Sequence, residues 1–201
     1  PQFGAVLMGN AGGTRFDFAG FNGGDKRDQA YKGRVDFSRW VKVSASYQQF
    51  YNRTPHDPLT YLDSAIATFV VRHDDLDPTA QYGNAHATLN ARVEATIPGL
   101  TGLKLFASHR QDTRDGHHQS LATSHCANCH ITGTTKALNE KASDIVAGAS
   151  LRLARLNVDA TFGTREFKDE AAAPMLLYDK AVQPQTTADV FLNRVSFDSR
   201  N

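Results

Sequence analysis

From residue 34 onward the chain alternates apolar and polar residues with a period of two, which restricts it to half-buried β-strands. Between 34 and 51, Val35, Phe37, Val41, Val43, Ala45, Tyr47 and Tyr51 share one parity, while Asp36, Ser38, Lys42, Ser44, Ser46 and Gln48 share the other. As a single strand this run of about 17 residues exceeds the five or six usual in soluble sheets and suits a tilted strand that crosses a bilayer. Ala85, Ala87, Leu89, Ala91, Val93, Ala95 and Ile97 repeat the alternation. The sequence Pro98-Gly99-Leu100-Thr101-Gly102 then turns the chain into Leu103, Leu105 and Ala107. A second hairpin runs through Ile145, Ala147, Ala149, Leu151 and Leu153, reverses near Ala154-Arg155, and returns through Leu156, Val158, Ala160 and Phe162.

These patterns predict strands at 34–51, 84–97, 103–110, 144–153, 156–166 and 188–198. Both tight turns fall at one end of the strands and the long connections at the other. One of those connections, 52–83, carries Pro55, Pro58 and Pro78, and its apolar part 61–71 reads equally as a short helix or a strand. Another, 111–143, shows no apolar period, and a connection of that length is normally functional or disordered. Residues 1–33, with Gly12-Gly13 and Gly23-Gly24, read as a Gly-rich N-terminal segment of loop with room for one strand. The expected fold class is therefore all-β: an antiparallel meander over 34–201, with short turns at one rim and long polar loops at the other. That asymmetry is typical of outer-membrane barrels. Six or seven strands fall short of the eight or so needed for closure, so on this reading the segment is part of a larger barrel. A soluble antiparallel sandwich gives the same alternation and is the rival fold.

Composition narrows the function classes. Lys and Arg number 22 against 21 Asp and Glu, a net charge of +1, so no nucleic-acid partner is expected. No run of 18 apolar residues occurs, which argues against a spanning helix and leaves a barrel open. The chain opens Pro-Gln-Phe without a charged or apolar leader region, so any signal peptide has been removed or lies outside this segment, and an exported protein is expected from the haem-attachment spacing of Cys126, Cys129 and His130.

Residues 125–130 read His-Cys-Ala-Asn-Cys-His and contain the chain's two cysteines. Cys126, Cys129 and His130 have the C-x-x-C-H spacing of c-type haem attachment: two thiols add across the vinyl groups of one haem, and the adjacent imidazole ligates its iron. A zinc site wants four ligands, usually from a second Cys or His pair, and a redox dithiol wants a thioredoxin-like setting. Both are weaker readings here, as is a plain disulfide. One covalent haem c is expected. His118 and His117, eight and nine residues before Cys126, are the first candidates for the second iron ligand; His109, Met175 and a partner residue follow. His125 reads as a propionate partner or a ligand to a neighbouring haem, and Arg110, Arg114 and Lys136 as propionate partners. His56, His73 and His86 read as ordinary surface or lumen residues.

Paired amphipathic strands, long polar loops and His125-Cys-Ala-Asn-Cys-His130 within one loop resemble the porin-like outer-membrane components of porin-cytochrome electron conduits of the metal-reduction type. The resemblance is one of layout across 34–201. The usual porin sheathes a separate multihaem cytochrome, so what the resemblance implies here is a barrel variant bearing its own haem. It implies electron transfer, with no catalytic residues and no small-molecule substrate, between partner c-type cytochromes at the outer membrane in contact with its lipid. The alternatives are a soluble periplasmic monohaem cytochrome on a β-sandwich and a haem peroxidase-like enzyme.

Overall fold

The computed structural model describes residues 2–23, 28–38, 40–60, 72–100, 102–124, 130–172 and 198–200. Ten strands form one sheet: β1 (Phe3–Ala11), β2 (Thr14–Asn22), β3 (Gln29–Phe37), β4 (Val41–Arg53), β5 (Arg72–Asp75), β6 (Gly83–Thr96), β7 (Leu103–Ser124), β8 (His130–Arg152), β9 (Asn157–Asp169) and β10 (Asp198–Arg200). The spatial order is β1-β2-β3-β4-β6-β7-β8-β9-β10, antiparallel throughout, with β5 added in parallel to the start of β8. Among the described residues there is no α-helix, and β1 does not pair with β10, so the sheet is open.

The antiparallel meander is as expected, but three element assignments change. Residues 1–33 hold β1, β2 and the first part of β3 rather than mainly loop. The glycines that disguised them lie under rings of the neighbouring strand. A Cβ on Gly33 would stand 2.8 Å from the Phe18 ring, one on Gly20 3.0 Å from Tyr31, and one on Gly9 would collide with Phe16. Each pair is in direct register, so the ring covers the space that the missing side chain leaves. Gly12 and Gly13, both at positive φ, make the two-residue turn between β1 and β2.

The run 34–51 is a hairpin. Phe37 pairs with Val41 across residues 38–40, and because that turn has three residues, odd positions keep the same face on both arms. The alternation therefore reads straight through the reversal. The segment 111–143 is mostly paired strand: β7 and β8 stay in register from Leu103↔Leu151 to Ser124↔His130. Along 111–124 both faces are polar, so no apolar period marks this part of β7. The connection 61–71 and most of 188–198 lie outside the described residues.

The short connections, at 12–13, 38–40, 97–102 and 153–156, share one rim, and those at 23–28, 54–82, 125–129 and 170–197 share the other. Register sorts the side chains by face. One face carries rows such as Val35, Val43, Val93, Ala107, Ala147, Phe162 and Phe37, Val41, Ala95, Leu105, Ala149, Ala160. The other carries the ion pairs Arg34–Asp36 (2.9 Å), Arg92–Glu94 (2.7 Å), Arg110–Asp112 (2.8 Å) and Arg165–Asp144 (2.6 Å). This polar face is concave: a cavity of about 760 Å³ is lined by Met8 of β1, Lys32 of β3, Arg92 of β6 and Arg110 of β7 among others. The apolar face is open, with Val93 40%, Ile145 51% and Phe162 74% exposed. The edge strand β1 contains no charged residue and no proline.

Gly116 sits where β6 stops supporting the long hairpin, at φ +149°, and a Cβ there would meet the Gly83 carbonyl and lie 2.7 Å from the Asn84 Cα. Gly116→Ala is expected to destabilise the sheet by about 1–3 kcal/mol, since backbone strain and collision act together. Gly99→Ala, at positive φ with open space around it, is expected to cost less; urea unfolding of the two variants checks the order.

Candidate functional site

The motif 125–130 joins two directly paired positions, since Ser124 of β7 faces His130 of β8. Cys126, Cys129 and His125 lie outside the described residues, as does Met175. What the structure describes is the support below them. β6 pairs with β7 only as far as His117, and β9 pairs with β8 only as far as Glu140. Above these points, among the described residues, the hairpin is paired with β5, whose Arg72 pairs with His130 and Asp75 with Gly133.

The support is packed where the rest of the sheet is open. Among the described residues the buried apolar side chains are Leu59 at 2%, Tyr82 at 3% and Leu138 at 6%, all at this rim. Gln119 of β7 clamps the incoming chain with both ends of its amide: Oε1 accepts from the Asp57 amide at 2.9 Å, and Nε2 donates to the Asp57 carbonyl at 2.7 Å. The Asp57 carboxylate accepts from the Leu59 amide, which turns Leu59 toward Gly133, the position where a side chain would crowd it. The Leu76 amide donates to the Gly133 carbonyl, and the Asp77 carboxylate accepts from the Thr135 amide at 2.7 Å. His56 is held between the Asp75 carboxylate, 2.6 Å from Nε2, and the Ala80 carbonyl, 3.1 Å from Nδ1, with its ring edge-on to Tyr82. The Tyr82 hydroxyl lies 3.3 Å from that of Thr135.

His118 and His117 sit lower on the hairpin than His130. His118 pairs with Lys136, and both stand six residues below the Ser124–His130 closure, about 20 Å along a strand at roughly 3.4 Å per residue. The structure thus brings neither His118 nor His117 together with His130. Partial burial, with Lys136 and Arg114 nearby, pushes the His118 pKa below its ordinary value, and His117 is exposed. His109 lies on the apolar face with its ring 3.0 Å from the Ser143 hydroxyl. Arg110 is paired with Asp112 and Arg114 with Glu140, on the concave face well below the apex. His86 packs edge-on against Phe50. Of His73 the structure gives only its backbone place in β5, beside Ile131. No cluster of three or more His, Cys, Asp or Glu side chains occurs among the described residues.

Sequence reasoning missed the clamp, because Gln119, Asp57, Asp75 and Asp77 belong to stretches read as loop. The Asp and Pro punctuation around 55–58 and 74–78 was its one signal. Thr135 donates to Asp77 and holds its carboxyl below the usual range. The pairing therefore contributes stability above that range and loses it as pH falls through the lowered value. Acid is expected to loosen 54–60 and 75–82 before the sheet melts, and Gln119→Ala to do the same at neutral pH. Hydrogen exchange at the Asp57, Leu76 and Thr135 amides measures both.

Comparison with protein-family models, with curated proteins and with solved structures finds no significant match for this chain.

Proposed function

We propose that this protein is an electron carrier of the outer membrane, with one covalent c-type haem on the hairpin between β7 and β8 and the sheet as part of a membrane barrel. The observation that carries the haem is the donor set itself: two thiols at C-x-x-C spacing followed by an imidazole, between strand ends that pair directly. Cys126 and Cys129 form the thioether bonds and His130 is the proximal ligand. His118, His117, His109, Met175 and a partner residue are the candidates for the second axial position. The haem supplies a one-electron couple, and the chain's part is to hold it at the end of a braced stalk and pass electrons to or from partner cytochromes.

The membrane half of the reading rests on the segregation of the two faces. Side chains such as Leu7, Val43, Val93, Leu105, Ile145, Val158 and Phe162 stand about half exposed in apolar rows. Full burial of each contributes about 1.5–3 kcal/mol, so the uncovered part is on the order of 10 kcal/mol, as large as the stability of a whole domain. Such a face requires a cover, and hydrocarbon lipid is the cover that suits strands alternating apolar with polar residues. Strands of 22 and 23 residues are also far longer than a sandwich uses. The paired charges then line the interior, and the long connections face outward.

Expression with a cytochrome c maturation system is expected to give a protein that gains the mass of one haem and keeps its colour through acid-acetone extraction. Cys126→Ser with Cys129→Ser should lose both, while His130→Ala should keep the bonded haem and lose the low-spin spectrum. A wild-type chain that emerges colourless with both thiols free sinks the proposal. For the membrane half, Ala147→Arg on the apolar face should weaken folding into bilayers by about 2–4 kcal/mol, and Ser108→Arg on the concave face should cost much less. Equal effects would count against lipid on the apolar face.

A further inference from the structure

We infer that the cavity in the concave face is a binding site for a small amphiphilic carboxylate, an acid group carried on an aromatic ring or a short alkyl chain. The inference goes beyond the proposed function, since it uses neither the haem nor the membrane but only the side chains that line the cavity.

Register places Val6 and Met8 of β1 at one side of this cavity, and the cations Lys32 and Arg34 of β3, Arg92 of β6 and Arg110 of β7 toward the other. Between β3 and β6, β4 contributes only Ser44 and Ser46 to the same rows. At a strand spacing of roughly 4.8 Å, β3 and β6 stand about 10 Å apart. Cations on both strands thus flank a low floor wide enough for one carboxylate.

The lining is cationic on balance. Against these four cations it holds one acid, Asp17, which itself lies 3.6 Å from Arg15. Asp36, Glu94 and Asp112, which pair with the arginines, fall outside the lining. Two of these acids are also recessed: the Arg34 side chain is 53% exposed against 20% for Asp36, and Arg110 57% against 23% for Asp112. Both pairs engage the guanidinium through Nε and Nη2, two of its five N–H donors, so a second acceptor finds donors left over. Arg92 is held by Glu94 and lies over the Phe106 ring, 4.6 Å from its centre. Lys32 has no ion pair among the described residues. Lys32, Arg34 and Arg110 are therefore the heads offered to an anion.

Val6 and Met8 supply what a bare anion does not need. They stand on the face opposite to Leu7 and are 69% and 70% exposed, so whatever covers the apolar face leaves them bare. A strand added at the edge of β1 continues the sheet and leaves them bare as well. An apolar body laid against these two, with its acid group reaching β3, satisfies both halves of the cavity, and a volume of about 760 Å³ is that of a small-molecule pocket.

The test is equilibrium dialysis of 1-naphthoate against the full chain refolded in an uncharged amphiphilic polymer, with the polymer alone as reference. Naphthoate should bind saturably, one per chain. Acetate, which has the charge without the rings, and 1-naphthalenemethanol, which has the rings without the charge, should each bind at least about tenfold more weakly. Lys32→Gln with Arg34→Gln should weaken naphthoate by about the same factor and leave naphthalenemethanol unchanged. Ser46→Trp, which fills the floor without altering a charge, should abolish naphthoate binding; circular dichroism of the sheet reports that each variant folds. Cys126→Ser with Cys129→Ser should bind naphthoate as the parent does, so a failure of the haem leaves this result standing. Absence of saturable binding above the polymer overturns the inference, and so does acetate or naphthalenemethanol binding as tightly as naphthoate, or parent-like affinity in the folded cavity variants.

Discussion

The pairing of β7 with β8 is the interaction on which the rest of the structure depends. Its register fixes which side chains of both strands share a face, and through β6 and β9 it passes that assignment to the remaining strands. In a sheet the side-chain period is two, so a slip of one residue on β8 would send Ala147 and Ile145 to the concave face and Asp144 to the apolar one. The same pairing carries the Cys-x-x-Cys-His motif away from the sheet. One backbone interaction thus separates apolar from charged surface and also sets the distance between the motif and that surface.

Stability is distributed unevenly along this frame. Among the described residues most of the sheet is a single layer with an exposed apolar face, while the packed side chains gather toward the β7–β8 end around Leu59, Tyr82 and Leu138. Hydrogen bonds do much of the work there: the two-ended clamp of Gln119 and the carboxylates of Asp57, Asp75 and Asp77 fasten a proline-punctuated connection to the hairpin. Over the rest of the sheet the ion pairs of the concave face are exposed, and pairs of that kind contribute little each. Their significance lies in placing charge on one side only.

How much of this was legible in the sequence depended on contrast between the two faces. Strands 84–97 and 156–166 alternate Val, Leu or Phe with charged residues, and they lie close to where the alternation put them, as β6 and β9. The upper parts of β7 and β8 are polar on both faces, so their pairing left no periodic trace, and the long loop expected at 111–143 is largely strand. β1 and β2 were hidden differently: glycine looks like a breaker until a ring from the next strand is known to lie over it, which is a fact about two strands at once. The three-residue turn at 38–40 preserves parity, so a hairpin looked like one long strand. The motif at 125–130 was plain from spacing alone, but a second ligand was sought by closeness in sequence, and a paired strand puts His117 and His118 far from His130 because it is fully extended.

The uncharged edge of β1 has a consequence for how the molecule must be made. Every second residue of this nine-residue strand points its backbone donor and acceptor away from β2, flanked by Phe3, Val6, Leu7 and Met8, with no lysine or proline to discourage a neighbour. Until that border is joined to another strand, any two newly synthesised molecules can zip together along it. Aggregation along this border therefore competes with any strand that would cover it.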